Sequence, residues 1–260
     1  MNKNQIQEYL KRINFSKEII DCNLETLFEI HSSHVYHIPF ENLDIWNKKK
    51  IELSEKNLFK KIIKNNRGGF CYELNYLFWM LLDNLGFNAK IISARIFDDD
   101  GKLGPEFDHM AILVLIGDER WLADVGFGDL FIKPISIDTT TIQNDVNGFF
   151  KIRSLKDDGF LLLKENNNKV FEKKYKFNTI QRNIEQFKPQ CEFKQYSKDS
   201  YFVKNKICTL PTGKGRTTVF NNRLIRKVNA LKEEYEIHTE SKLNQILQEE
   251  FQINMLKHKN

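Results

Sequence analysis

Arg67-Gly68-Gly69-Phe70-Cys71-Tyr72-Glu73-Leu74-Asn75 runs directly into Leu77, Phe78, Leu81, Leu82 and Leu85, which with Leu74 recur at the spacing of one helical face. Gly86 stands where a glycine would close that helix in a left-handed turn. The pattern predicts a helix opened by Cys71 and ended at Gly86. Immediately afterwards the apolar period falls from 3.6 to 2, with Asn88 to Ile96, His109 to Ile116 and Arg120 to Val125 alternating or continuously apolar. Upstream the period is helical again, in Ile6, Tyr9, Leu10 and Ile13, in Leu24, Leu27 and Phe28 before His31, and in Leu58, Ile62 and Ile63. Helices followed by a run of strands read as an α+β fold.

Further out, Phe149 to Ile152, Phe160 to Lys164 and Val170 to Phe177 read as strands, the last two joined by the polar turn Asn166-Asn167-Asn168. Strands are also expected near Tyr201 to Thr209, Thr217 to Phe220 and Leu224 to Val228, then a helix after Thr239 carrying Leu243, Ile246, Leu247 and Phe251. Three lobes result: helical over 1–86, β over 87–195 and mixed over 196–260. No Pro/Gly/Ser linker separates them, so they are expected to pack as one unit.

The 260 residues are 41% apolar and 29% charged, which excludes wholesale disorder, a collagen repeat and a coiled-coil rod. Runs such as Ala111 to Ile116 fall far short of the roughly 20 residues of a membrane-spanning helix, so no membrane partner is expected. The first twenty residues lack the apolar stretch of a signal peptide, which points to the cytoplasm. Cys22, Cys71, Cys191 and Cys208 are too scattered for a disulfide scaffold or paired zinc ligands. The net charge of +5 suits a polyanionic small ligand without calling for nucleic acid.

Cys71 at a helix start sits among free backbone N–H groups that favour a thiolate. On an apolar stripe a structural cysteine is the favoured reading, and the paired glycines, which allow close approach of a ligand or of neighbouring backbone, tilt it back. His109 heads an apolar strand, and Gly117-Asp118 suits a two-residue turn with glycine first. That turn sets Ile116 opposite Glu119, Ala111 opposite Asp124 and His109 opposite Gly126. Asp124 and His109 then share a face, within side-chain reach. They form either a mutually satisfied core pair or a base and its orienter, which with Cys71 would complete the logic of thiol catalysis.

The segment 67–75 resembles the active-site cysteine motif of arylamine N-acetyltransferases, and Ile38-Pro39-Phe40-Glu41-Asn42-Leu43-Asp44 resembles their second signature. Asp108-His109-Met110 and Asp124-Val125-Gly126-Phe127-Gly128 are similar to the family's histidine and aspartate segments. The likeness runs from Tyr9 to the C-terminal helix, strongest over 38–128 and faint over about 135–200. It implies a helical bundle, a central β-barrel and a C-terminal α/β lid, with a Cys71–His109–Asp124 triad between the first two. It also implies ping-pong transfer from acetyl-CoA as co-substrate, without a metal, to small aromatic amines and hydrazines. Cys71 would be acetylated, His109 would move protons and Asp124 would hold His109, leaving Cys22, Cys191 and Cys208 as bystanders.

Aromatic amines are largely unprotonated at neutral pH, so an apolar pocket suits them. Phe40, Phe70 and Phe127 are the candidate lining, each with plain core packing as the alternative. In the family the segment matching Gly126-Phe127-Gly128 lies along the coenzyme A cleft, and its backbone N–H groups are expected to lie open there. Lys214-Gly215-Arg216-Thr217-Thr218 could meet coenzyme A phosphates, but a hairpin with solvated charges is the favoured reading. His31, His34 and His37 lack the i, i+4 pair and acidic helper of a helical zinc site, so a structural role is expected.

Three other functions share some of these features. An amide synthase closing a polyketide chain onto its own aromatic amine would carry the same triad. A papain-like or transglutaminase-like hydrolase shares the nucleophile logic but not the Arg-Gly-Gly-Phe-Cys context. A non-catalytic ligand-binding relative would have no need of all three residues.

Overall fold

Gly86 adopts a left-handed backbone with φ +97° and closes the helix that Cys71 opens, as the sequence predicts. A computed structural model describes residues 1–17, 19–229 and 231–255 of the chain. Helix α1 (Lys3–Arg12) starts at a capping box, Asn2 accepting the Gln5 N–H and Gln5 accepting the Asn2 N–H. Helix α2 (Leu24–His37) is capped by Asn23. A two-residue strand β1 (Phe40–Glu41) and a short α3 (Leu43–Trp46) follow. Helix α4 (Glu55–Leu58) continues into a π-helical turn, Phe59–Lys64, before α5 (Cys71–Leu85).

The next eight strands form one sheet: β2 (Asn88–Ile96), β3 (His109–Ile116), β4 (Glu119–Ala123), β5 (Ile135–Ser136), β6 (Gln143–Asp145), β7 (Gly148–Ser154), β8 (Gly159–Glu165) and β9 (Phe171–Asn178). Their order is β5-β4-β3-β2-β9-β8-β7-β6. The sheet curls until its two end strands meet, where the Gln143 amide accepts the Ser136 N–H and donates to the Ser136 carbonyl, each at 2.8 Å. A side chain thus nearly closes the barrel. Inside it lie Ile92, Ala111, Leu113, Leu122, Phe150, Leu162 and Tyr175. On the other face Ile91, Met110, Ile112, Val114 and Ala123 join the core of the helical lobe, where β2 and β3 pack against α5. Burial on both faces explains why β3 is continuously apolar rather than alternating.

The β3–β4 hairpin turns at Gly117, φ +60°, with Ile116 opposite Glu119 as expected. Its ladder ends at Ile112 opposite Ala123, so the expected pairs Ala111 with Asp124 and His109 with Gly126 do not form. Side chains outbid β3 for the backbone there: the Asp124 N–H donates to His31 Nε2 and the Val125 N–H to Asn75 Oδ1.

Between barrel and C-terminus the expected strand at 201–209 is replaced in its first half by helix. Helix α6 (Lys188–Tyr196), after a 3₁₀ turn at Ile184–Phe187, buries Phe187 and Cys191 in the core of the helical lobe. Helix α7 (Tyr201–Lys204) follows, capped by Ser200. Then come β10 (Ile207–Thr212), β11 (Gly215–Phe220), β12 (Arg223–Val228) and β13 (Leu231–Glu236), and finally α8 (Glu240–Phe251) capped by Thr239. These strands form a second sheet, β1-β10-β11-β12-β13, so Phe40 and Glu41 from the helical lobe pair with Thr209 and Cys208. Leu43, Cys208, Val219, Leu224, Leu247 and Phe251 make its core. No described helix is long and apolar enough to cross a membrane.

Candidate active site

The two glycines before Cys71 are required by close neighbours, backbone at Gly68 and the Glu73 side chain at Gly69. A Cβ on Gly68 would sit 1.9 Å from the Pro39 carbonyl oxygen, and one on Gly69 would sit 2.8 Å from Glu73 Cβ. With both absent, Gly69 bridges Phe40 in parallel and accepts the Glu41 N–H at 2.9 Å. Cys71 is thereby placed at the first position of α5, 3% exposed, while Glu73 turns back to accept the Phe70 N–H.

Beneath this turn lie three acids and two bases. Arg67 donates to Glu41 and Asp44, each at 3.0 Å, and Lys61 reaches Glu73 at 2.8 Å and Asp44 at 3.0 Å. Burial alone would raise the Asp44 pKa, but Lys61 and Arg67 pull it down to about 2. Removing one cation strands buried carboxylates. Arg67→Ala is therefore expected to destabilise the protein by about 3–5 kcal/mol, read as a lower midpoint in urea unfolding. A loss under about 1 kcal/mol would contradict this account of the cluster.

His109 and Asp124 meet across the end of the shortened hairpin, with Nε2 to Oδ2 at 2.7 Å. That contact turns Nδ1 away from Asp124, and Cys71 is the other side chain whose interaction raises the ring's pKa. Burial would depress the imidazole, but the charge and hydrogen bond of Asp124, followed by Cys71, push its pKa up to about 10. The ring is accordingly an imidazolium at neutral pH.

Asp124 is held from every side. Its Oδ1 accepts Asn75 Nδ2 at 2.9 Å and the Gly126 N–H at 3.0 Å, and its Oδ2 accepts the Tyr175 hydroxyl at 3.1 Å besides His109. Burial would raise its pKa, yet His109, Asn75 and Gly126 hold it below the ordinary carboxylate range. The Asp124 N–H donates to His31 Nε2, and His31 Nδ1 donates to the Ile132 carbonyl at 2.8 Å. One ring nitrogen must accept and the other donate, so His31 is neutral. Burial depresses its pKa to about 4, in agreement.

The structure brings Cys71, His109 and Asp124 together as the sequence suggests. His31, expected to be structural, supports the Asp124 backbone, while His34 bonds Tyr9 and His37 bonds the Ser33 carbonyl. Asn75 and Tyr175 are the contributions that sequence reasoning missed. Asn75 stood in the quoted motif one turn after Cys71, on the same helical face. Tyr175 lay on an alternating strand with nothing to mark it.

Around this group Phe127 meets His109 in a T-shaped ring contact, centroids 5.3 Å apart, and is half-buried. Phe40 packs against Phe202 and against Gly128, where an added Cβ would come within 3.2 Å of the Phe40 ring. Phe70 is fully buried between Tyr72 and Phe202.

Two expectations need correction. The Gly126 N–H is not open to a ligand, because it donates to Asp124, and a Cβ added at Gly126 would come within 2.6 Å of Asn75 Nδ2 and 2.9 Å of Cys71 Cα. Arg216 is not a solvated turn charge: its guanidinium donates to the Gly128 carbonyl and to Thr209 Oγ1. Lys214 and Gly215 do lie at the exposed β10–β11 turn as expected.

A buried cysteine sulfur whose proton is held by an imidazolium that a carboxylate supports can attack an acyl carbon, and the ring can then give that proton to the leaving group. The family model described as N-acetyltransferase matches residues 23–259. The chain is similar to the pineal gland isozyme NAT-10 of arylamine N-acetyltransferase from Gallus gallus, 30% identical over 81% of this chain and 79% of that one. Among solved structures it resembles arylamine N-acetyltransferase from Salmonella typhimurium, 26% identical, TM-score 0.91, covering 99% of this chain and 94% of the other. It also resembles the Mycobacterium marinum arylamine N-acetyltransferase solved in complex with CoA, 25% identical, TM-score 0.87, covering 96% and 93%. By its motifs, its fold and these matches, the chain belongs to the arylamine N-acetyltransferase family.

Proposed function

We propose that the protein transfers the acetyl group of acetyl-CoA to the nitrogen of aromatic amines and hydrazines, in two steps through an acetyl thioester on Cys71. The observation that carries this reading is a buried His109 ring that Asp124 holds at 2.7 Å, with Cys71 at the head of α5 packed against Gly126 of the same aspartate segment.

In the first step the Cys71 sulfur, its proton held by His109, adds to the thioester carbonyl. The tetrahedral adduct then expels the coenzyme A sulfur, which takes the proton from His109 and leaves as free thiol. One thioester replaces another, so little energy separates the two. In the second step the amine nitrogen adds to acetyl-Cys71, and the now neutral His109 removes its proton. The carbon–sulfur bond breaks, giving the amide and restoring the Cys71 thiolate beside imidazolium. Asp124 touches no reacting atom; it holds the ring and balances its charge in both steps.

Phe127 and Phe40 are assigned to the wall of the acceptor site, and Phe127 and Gly128 to the side along which the acyl donor approaches. The fully buried Phe70 supports that wall from behind. An acetyl-CoA donor fits a cytoplasmic enzyme, and we assign the protein to that compartment. The test is to follow free coenzyme A on incubation with acetyl-CoA and a panel of anilines and arylhydrazides. Release that depends on the acceptor is expected. Release at one rate whatever the acceptor would mean that water is the acceptor and would overturn the reading.

The same pair predicts selective alkylation. In the folded protein at about pH 6, iodoacetamide is expected to modify Cys71 well ahead of Cys191 and Cys208, since burial pushes the thiol pKa up at both bystanders. Peptide mapping checks this, and equal labelling of the three would mark Cys71 as inert.

A further inference from the structure

The loop from Asp124 to Leu130 is fixed in two halves by different parts of the molecule. The first half is tied to α5: Asn75 bonds the Asp124 carboxylate and the Val125 N–H, and Gly126 lies against Cys71. The second half turns at Gly128, φ +91°, and leaves α5 behind. Its holds come from both sheets. Arg216 on β11 donates to the Gly128 carbonyl and, at 3.2 Å, to Thr209 Oγ1, which pairs with Thr218 Oγ1 at 2.7 Å. From the barrel side, Asn147 and Lys164 bond the Asp129 carboxylate at 2.9 and 3.2 Å, and Lys164 also donates to the Asp129 carbonyl.

The Arg216 side chain is only 12% exposed, although its close partners are a carbonyl and a hydroxyl and its one carboxylate neighbour, Asp129, lies at 3.5 Å. Holding a charge that far out of water against neutral acceptors is costly. What it fastens is the residue after Phe127, whose ring lies on His109. We propose that Arg216 is a positioning residue that latches the C-terminal sheet to the second half of this loop and so keeps Phe127 against His109. It rests on the acetyl-transfer reading above, because the positioning serves donor and acceptor binding. The Cys71–His109–Asp124 contacts, pinned by the first half, do not depend on the latch.

The test compares wild type with Arg216→Met by three readouts. Hydrogen exchange over residues 127–130 is expected to rise at least about tenfold while the first turn of α5 keeps its protection. The value of kcat/KM for acetyl-CoA is expected to fall about tenfold or more. The pH profile of Cys71 alkylation should superimpose on that of wild type, a separation that general destabilisation would not give. If Arg216→Met does not fold, Arg216→Lys, which keeps one donor, should give the same pattern with smaller changes. Unchanged exchange over 127–130, kcat/KM within about twofold of wild type, or an alkylation profile that shifts would each overturn the proposal. A wild-type protein that releases no coenzyme A defeats the acetyl-transfer reading instead, and the exchange measurement still decides whether the latch exists.

Discussion

Cys71→Ala is expected to abolish acetyl transfer, lowering turnover by about four orders of magnitude or more, because no other group can carry the acetyl between donor and acceptor. Of the other cysteines, Cys22 is exposed and bonds the Leu85 carbonyl, Cys191 sits beside Gln195, and Cys208 is sealed in the C-terminal core. None of the three shares a hydrogen bond with His109. The variant should fold normally, since Ala fits the first turn of α5 and Glu73 still accepts the Phe70 N–H. Coenzyme A release in the presence of aniline checks the loss, and circular dichroism checks the fold. Retained transfer above about a hundredth of wild type would mean that the amine attacks bound acetyl-CoA directly.

Asp124→Asn should be the second most damaging change, with a loss of at least about a hundredfold in kcat/KM. Asn is close to Asp in size but does not fit the partners. Both carboxylate oxygens are flanked by donors, Asn75 and the Gly126 N–H at one, His109 and Tyr175 at the other. Whichever way the new amide turns, its NH₂ faces two donors, so the variant loses stability as well as charge. Without the carboxylate the largest support for the imidazolium is gone, and burial pulls the His109 pKa down from about 10. A neutral ring no longer supports negative charge on the attacking sulfur, so alkylation should slow in parallel with turnover. A folded Asp124→Asn protein with near-normal transfer and unchanged alkylation would leave His109 acting alone.

Local signals carried much of this arrangement in the sequence. The stripe from Leu74 to Leu85 with Gly86 after it located α5 to the residue, and Gly117-Asp118 located the β3–β4 turn. Both depend on backbone preferences that a short window contains. The register beyond Ile112 could not be read that way. It is set by His31 and Asn75, 93 and 50 residues distant along the chain from the N–H groups they capture. Helix α6 and the turn before it stayed hidden because their core-facing residues, Phe187, Cys191 and Gln195, stand among Lys, Glu and Gln, and only two of the three are apolar. The edge strand β13, Leu-Lys-Glu-Glu-Tyr-Glu, is exposed throughout, so charge rather than alternation fills it, in the manner of protected sheet edges.

For the site, the residues to which the proposed chemistry is assigned were legible because their types announce it, whereas those that hold them in place were not. Tyr175 and Arg216 act through hydrogen bonds across the fold, to Asp124 and to Gly128, and neither bond has a counterpart in sequence spacing. Gly126 was misjudged for the opposite reason. A Gly-x-Gly suggests free N–H groups, but here the first glycine is needed for contact with α5 and its N–H is already committed.

The central claim is that the acetyl group rests on Cys71 between the two steps. Mixing the protein with one equivalent of acetyl-CoA and no acceptor, then measuring the intact mass and mapping the adduct, tests it most directly. The account predicts a gain of one acetyl group, located on Cys71, discharged when aniline is added and absent from Cys71→Ala. An unmodified protein under these conditions, in a preparation that acetylates aniline when all components are present, would contradict it.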